Sequence, residues 1–451
     1  MRFSDDPLRA AAAKDKGIFS LPITTVYLDL QPRSIRFMRR LFPVFFLLLL
    51  GPYLSAQEKT DAWLKDLLWA HASDVLKNIL QHPDSFRYQI IYTRIDRDRQ
   101  NRPHFSQFYY RVNKEEYFNP ASTVKLPLAL LSLEKINDLH VTGLNKYSSM
   151  LTDSAYSRQT VAVHDSSAEN GLPSLAQYIR KIFLVSDNDA YNRLYEFMGQ
   201  ETINRRLWEM GYPDIRITRR FTRMNTDENR HSNPMRFFDN NKLIYQQPPA
   251  VSQVPFDFSH TVLIGQGHYD QDDKLLLTPM DFTEHNNLPL EDLQQILQSA
   301  LFPESVPAKK RFRLTAEDYS FLYQYMSEYP SESRYPHYDS TEYFNSYCKF
   351  FMYRAGKSAI PPYVRIFNKP GWSYGFLTDV AYIADFKNNV EFMLSAVIYV
   401  NRDGILNDDK YEYEETGWPF FKEIGNIIYQ YELGRKRKYV PVLDSFKRQY
   451  R

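Results

Sequence analysis

Cysteine is nearly absent from this chain: Cys348 is the only one in 451 residues. That excludes an intrachain disulfide, a zinc ribbon and any multi-cysteine metal site. Glycine is scarce as well, 15 residues against the ordinary share of about 7%, so glycine-rich phosphate loops have little material to be built from. Charge of one sign is missing, with 56 Lys and Arg against 54 Asp and Glu for a net +2. No basic excess exists to wrap a phosphate backbone, and nucleic acid is not expected as a partner. No apolar run reaches the roughly 20 residues of a spanning helix. What the chain has in plenty is aromatic rings: 34 Tyr, 31 Phe and 5 Trp.

The longest apolar stretch, LFPVFFLLLLGPYL at 41–54, follows Met38-Arg39-Arg40 and precedes Ser55-Ala56-Gln57. A basic start, an apolar centre and a small residue at the cut predict a signal peptide over 38–56. Residues 1–37 are then an upstream mis-start or tail. The alternative is a single N-terminal membrane anchor. Either way the mature chain faces the periplasm or the exterior, and no stable membrane span is left after cleavage.

Helical periodicity is expected over 59–80, 122–136, 174–184, 188–198, 279–300, 315–328 and 416–433. Aromatic and β-branched runs predict hairpins over 86–95 with 105–112 and over 376–386 with 391–400. Strands at both ends with helices between them predict an α+β fold: one antiparallel sheet from both termini, flanked by helices, with an inserted all-α lobe. One large unit runs over 57–433, with the lobe at about 122–235, insertions at about 235–275 and 305–365, and a basic tail over 434–451.

Three S-x-x-K spacings occur, at Ser122/Lys125, Ser132/Lys135 and Ser346/Lys349. On a helix each pair shares a face, and a desolvated lysine can take the proton that a serine must lose to become a nucleophile. Context separates them. Pro127 is tolerable only in a first helical turn, so Ser122 stands at a helix start, where free N–H groups favour an oxyanion. Ser132 and Ser346 carry no start signal and read as structural. Ser186-Asp187-Asn188 lies between two helical patterns, where it can cap a helix or hold a lysine and a substrate amide. Lys369-Pro-Gly371-Trp372-Ser373 precedes the last hairpin and would set a positive charge and N–H donors beside a carboxylate. Ten histidines show no ligand spacing, and neither metal nor cofactor is expected.

In that order the three motifs are the set of the penicillin-recognising serine enzymes, and residues 60–433 resemble the serine β-lactamase and penicillin-binding protein superfamily, class A β-lactamases above all. FNPASTVKLPLALL resembles the nucleophile helix, LTPMDF (277–282) the Thr-Pro helix start, and KPGWSYGFLTDVAYIAD the third-motif strand with its partner. The resemblance implies a β-lactamase/transpeptidase-like fold and acyl-enzyme chemistry. By it Ser122 is the nucleophile, Lys125 its base or relay, Ser186 the shuttle and Asn188 the substrate-amide contact. Lys369, Gly371 and Ser373 bind substrate, and the N–H groups of Ser122 and Trp372 form the oxyanion hole.

Two departures stand out. Pro370 replaces a family hydroxyl, with Ser373 three residues on as its substitute. The resemblance implies deacylation by a loop Glu followed shortly by Asn, and no clean match is present; Glu228, in Glu228-Asn229, with Asp227 as rival, is the candidate deacylation base, and a solvated Glu228 paired with Arg223 or Arg230 is the alternative. Three readings follow: β-lactam hydrolysis, a D-alanyl-D-alanine carboxypeptidase or penicillin-binding protein with slow deacylation, and a non-catalytic binding protein. The expected partner is a small-molecule or peptidoglycan-like amide substrate.

Overall fold

The computed structural model describes residues 58–450. The proposed signal segment and everything before it lie outside them. Among the described residues no helix is long and apolar enough to cross a membrane.

The chain opens with helices α1 (Ala62–His71) and α2 (Asp74–Gln81). The single helix expected over 59–80 is broken at Ser73, whose hydroxyl caps α2 by accepting the Leu76 N–H. Strands β1 (Gln89–Arg97) and β2 (Pro103–Tyr110) form the first hairpin. Next come α3 (Lys125–Asp138), the short strand β3 (Ser149–Thr152), α4 (Leu175–Val185), α5 (Asn188–Met198), α6 (Gln200–Glu209) and α7 (Thr226–Arg230). Strand β4 (Met235–Asp239) pairs with β3 and with β5 (Lys242–Gln247), so the lobe expected to be helical also carries a small sheet. Helices α8 (Leu290–Leu301) and α9 (Ala316–Ser327) lead to β6 (Val364–Ser373), β7 (Phe376–Asp385), β8 (Val390–Tyr399) and the closing helix α10 (Trp418–Gly434). The helix expected from 279 starts only at 290: Met280–Asp281 is a strand, and the Thr278-Pro279 step opens no helix.

The central sheet runs β6-β7-β8-β1-β2 and all its pairs are antiparallel. The α+β plan expected from the sequence is therefore present, with strands of both ends in one sheet. β7 and β8 are buried along their whole length, because each face of the sheet carries its own core. Phe376, Val380 and Tyr382 face the helical lobe with Val124, Leu128 and Leu293. Leu377, Ala381 and Ile383 face the other way, with Leu64, Leu68, Phe421 and Ile424. This is the period-two alternation of a strand covered on both sides.

The residues after 433 form more than a basic tail. Leu443 and Phe446 are buried, the Phe446 ring lies 4.8 Å from that of Tyr382, and Arg435 and Arg437 neutralise the buried Glu432. Of the two aromatic-rich insertions, the later one lies along β6. Tyr329 donates its hydroxyl to the Val364 carbonyl (3.0 Å), and Lys349 donates to the Ile366 carbonyl (2.9 Å).

Candidate active site

Ser122 lies in a 3-10 turn, Ala121–Val124, that runs straight into α3. The turn is pinned from both sides: Asn119 Oδ1 accepts the Ala121 N–H (2.9 Å), and the Thr123 hydroxyl donates to the Pro120 carbonyl (2.6 Å). Pro127 falls in the first turn of α3, where no N–H is needed. Ala121 pays a conformational cost, with φ of 44°, a left-handed backbone that costs a side-chain-bearing residue on the order of 1–3 kcal/mol.

Lys125 is fully buried. Its Nζ donates to Ser122 Oγ (2.9 Å), to Asn188 Oδ1 (2.7 Å), to Ser186 Oγ (3.3 Å) and to the Ser186 carbonyl. No carboxylate pairs with it among the described residues. Burial first, and then the charge of Lys369, hold its pKa well below that of a free lysine. The Phe221 ring, 5.1 Å from Nζ, adds an aromatic wall.

The S-D-N step caps a helix and also holds a lysine. Asp187 caps α5 by accepting the Ala190 N–H (2.8 Å), while its neighbours turn inward. Ser186 closes α4 in the left-handed region (φ 62°), which aims its hydroxyl between two lysines. Lys369 Nζ reaches Ser186 Oγ at 2.8 Å and the Pro370 carbonyl at 2.7 Å. Lys369 is buried too, and desolvation pushes its pKa down to about 8.

Gly371 decides how β6 meets the serine. A Cβ built there would stand 2.7 Å from the Ser122 nitrogen and 2.8 Å from the Pro120 carbonyl; any side chain would push the strand away. β6 is an edge strand, and its pairing with β7 is continuous from Val364 to Ser373. The carbonyls of Val364, Ile366 and Pro370 accept bonds from side chains rather than from β7. Backbone direction alternates along a strand, so Trp372 turns its N–H to the same open edge. The same alternation explains Pro370: its missing N–H falls on the unpaired edge, where a ladder loses nothing. Lys369, Gly371 and Ser373 share the face toward Ser122, with Ser373 half-buried at the strand end.

The other two S-x-x-K pairs are not joined. Ser132 donates to the Leu128 carbonyl (2.8 Å), and Lys135 turns to Gln247. Lys349 donates to two carbonyls and to Asn368 Oδ1 (2.8 Å), while Ser346 Oγ is buried without a partner. Glu228 stands apart from the cluster. It closes the capping box of α7 with Asn225, accepts from the Ser157 hydroxyl (2.9 Å) and pairs with Arg158 (3.6 Å), rather than with Arg223 or Arg230. Asp227 accepts from the Tyr156 hydroxyl (2.6 Å). Sequence reasoning missed Phe221 and the buried group behind β6, in which Asn368 donates to Asp379 (2.9 Å) and accepts from Lys349. The Asn368 position beside Lys369 was a readable signal; nothing local marks Phe221. Among the described residues no cluster of acidic, histidine and cysteine side chains could hold a metal.

Residues 73–244 match the model of the beta-lactamase enzyme family. The match takes in the Ser122 turn, Lys125 and the S-D-N step, and ends before Lys369. No curated protein matches. Solved structures that resemble the chain include a beta-lactamase from Sphaerobacter thermophilus DSM 20745, 12% identical, with a TM-score of 0.44 over 81% of this chain and 97% of that one. A beta-lactamase from Desulfarculus baarsii DSM 2075 is 16% identical, with a TM-score of 0.43 over 83% and 98%. One from Burkholderia phymatum is 13% identical, with a TM-score of 0.43 over 81% and 98%.

Proposed function

We propose that the protein is an exported serine hydrolase that acylates Ser122, with a β-lactam amide as the substrate it fits best. One observation carries the reading: a buried lysine without a carboxylate partner, in contact with two serine hydroxyls at the start of a helix. Neutral Lys125 accepts the Ser122 proton, and Oγ attacks the carbonyl carbon. The carbonyl oxygen takes up negative charge between the N–H groups of Ser122 and Trp372. The C–N bond then breaks, and its nitrogen receives a proton through Ser186. Asn188, whose Oδ1 is held by Lys125, keeps its NH₂ for the substrate amide. Lys369 attracts the substrate carboxylate, and Ser373 supplies the hydroxyl that Pro370 lacks. Export rests on the residue 38–56 pattern, and the reading involves neither cofactor nor nucleic acid.

The second reading is a D-alanyl-D-alanine carboxypeptidase or penicillin-binding protein in which the acyl-enzyme persists. The engagement of Glu228 in its capping box favours it, since a deacylation base needs a lone pair directed at water beside the ester. Intact-protein mass spectrometry over time, with benzylpenicillin and with a fluorophosphonate, tests both. A Ser122-dependent adduct that decays, and decays more slowly in Glu228→Gln, supports hydrolysis with Glu228 as base. An adduct that persists in both proteins supports the second reading. Absence of any Ser122-dependent adduct leaves a binding protein on this fold.

A further inference from the structure

A cavity of about 350 Å³ lies between the segment that leads into α7 and the turn that follows Met280–Asp281. None of Ser122, Lys125, Ser186, Asn188 and Lys369 lines it. Two guanidinium groups, Arg219 and Arg230, and two carboxylates, Asp281 and Glu284, do. No one of these four stands in an ion pair among the described residues, although opposite charges share one small space.

Each charge is held in place by its own neighbours. Arg219 Nη1 is bonded to His285 Nε2 at 2.7 Å. Burial and the Arg219 charge push the His285 pKa down to about 3, so the ring is neutral and its Nε2 is the acceptor. Arg230 donates to the Ser252 carbonyl (3.1 Å). Glu284 accepts from the Thr226 hydroxyl (2.8 Å), and Asp281 accepts from the Thr283 N–H (2.8 Å). These contacts keep the charges apart instead of letting them collapse onto one another.

Two further features shape the cavity. Gln200, also on the wall, is 3% exposed and is fixed by its Nε2, which donates to the Thr218 carbonyl (2.8 Å). Phe256 and Phe258, with ring centroids 5.6 Å apart, supply an apolar wall. A simple anion would satisfy the arginines and be repelled by the carboxylates; a simple cation would meet the reverse. A molecule carrying both charges satisfies both pairs, its ammonium reaching the carboxylates and its carboxylate reaching the arginines. The volume is at the small end of ligand sites, roughly 300–1,000 Å³.

We propose that this cavity is a binding site for a small zwitterion, a free amino acid or dipeptide with an aromatic or large apolar side chain, separate from the Ser122 centre. The site does not rest on the proposed hydrolase activity, and Ser122→Ala is expected to leave it intact. Isothermal titration calorimetry on the full chain with phenylalanine and alanyl-phenylalanine tests it, with N-acetylphenylalanine and phenylalanine amide as probes blocked at one end. Binding of at least one unblocked probe is expected, weakened tenfold or more by blocking either end, and by Arg219→Gln or Glu284→Gln. If neither unblocked probe binds, or if a blocked form binds as well as its parent, the proposal is overturned. The blocked probes need no variant, so misfolding of a mutant cannot decide the result.

Discussion

Two lysines in this molecule stand three residues after a serine and are wholly buried, yet they are built for different work. Lys125 meets hydroxyls, those of Ser122 and Ser186, at 2.9 and 3.3 Å. Lys349 meets the carbonyls of Met326 and Ile366 at 2.8 and 2.9 Å and belongs to a group with Asn368 and Asp379. A hydroxyl can surrender a proton to an amine, whereas a carbonyl can only accept a bond. The first arrangement therefore supports chemistry, and the second clamps the upper end of β6 to the insertion beside it. Burial and spacing alone did not separate them; the partners did.

The sharpest way to break this contrast is to exchange the roles by mutation. Lys125→Met or Ser122→Ala should slow covalent labelling by benzylpenicillin about a thousandfold or more, whereas Lys349→Met should change it less than tenfold. Equal losses in both lysine variants, read by mass spectrometry, would mean that both lysines act through stability alone. Gly371→Ala comes next. Its methyl would have to displace the Ser122 turn, and a shift of about 1 Å costs on the order of a hundredfold in acylation, with far-UV circular dichroism unchanged.

The clamp predicts a stability effect. Asp379 is buried, and desolvation raises its pKa to about 7; removing Lys349 takes away a nearby charge that favours its ionised form and leaves the Met326 and Ile366 carbonyls and Asn368 Oδ1 without their donor. Lys349→Met should lower unfolding free energy in urea by about 3–5 kcal/mol. Ser346→Ala, in contrast, removes a buried hydroxyl that has no partner and should stay within about 0.5 kcal/mol of the parent.

The two lysines of the cleft also set a pH profile. Lys125, its pKa held well below that of a free lysine by burial, is a base only while unprotonated and gains a proton as pH falls, so acylation drops on the acid side. Lys369 is charged below about 8 and loses that charge as pH rises through it, so KM for a carboxylate-bearing substrate should climb several-fold between about pH 7 and 9. Lys369→Arg should remove the alkaline rise, because a guanidinium stays protonated. A rise that persists unchanged in Lys369→Arg would assign it to another group.

Much of this was open to reading in the chain itself. Pro127 limited where α3 could begin, and the turn residues Lys387-Asn388-Asn389 placed the last hairpin within a residue of where it lies. The α+β plan followed from strands at both ends. The Thr278-Pro279 step misled, because the local preference of proline for a first helical turn was overruled by pairing of Met280–Asp281 with Leu263–Ile264. The break in the N-terminal helix at Ser73 was missed for a related reason. Apolar spacing carried on across a capping serine that also bonds Glu423, 350 residues away.

Sequence by itself determined which groups could do chemistry: a serine and a lysine one helical turn apart, a helix start to hold them, and no cysteine or metal set to compete. The helix start at Ser122 singled out one of three such pairs, but the sequence could not say what would bury that pair and surround it. That was decided when β6 came from far along the chain to lay Gly371 on the Ser122 nitrogen and Lys369 on Ser186, since desolvation and proximity, which set a lysine's basicity, exist only once the strands are packed.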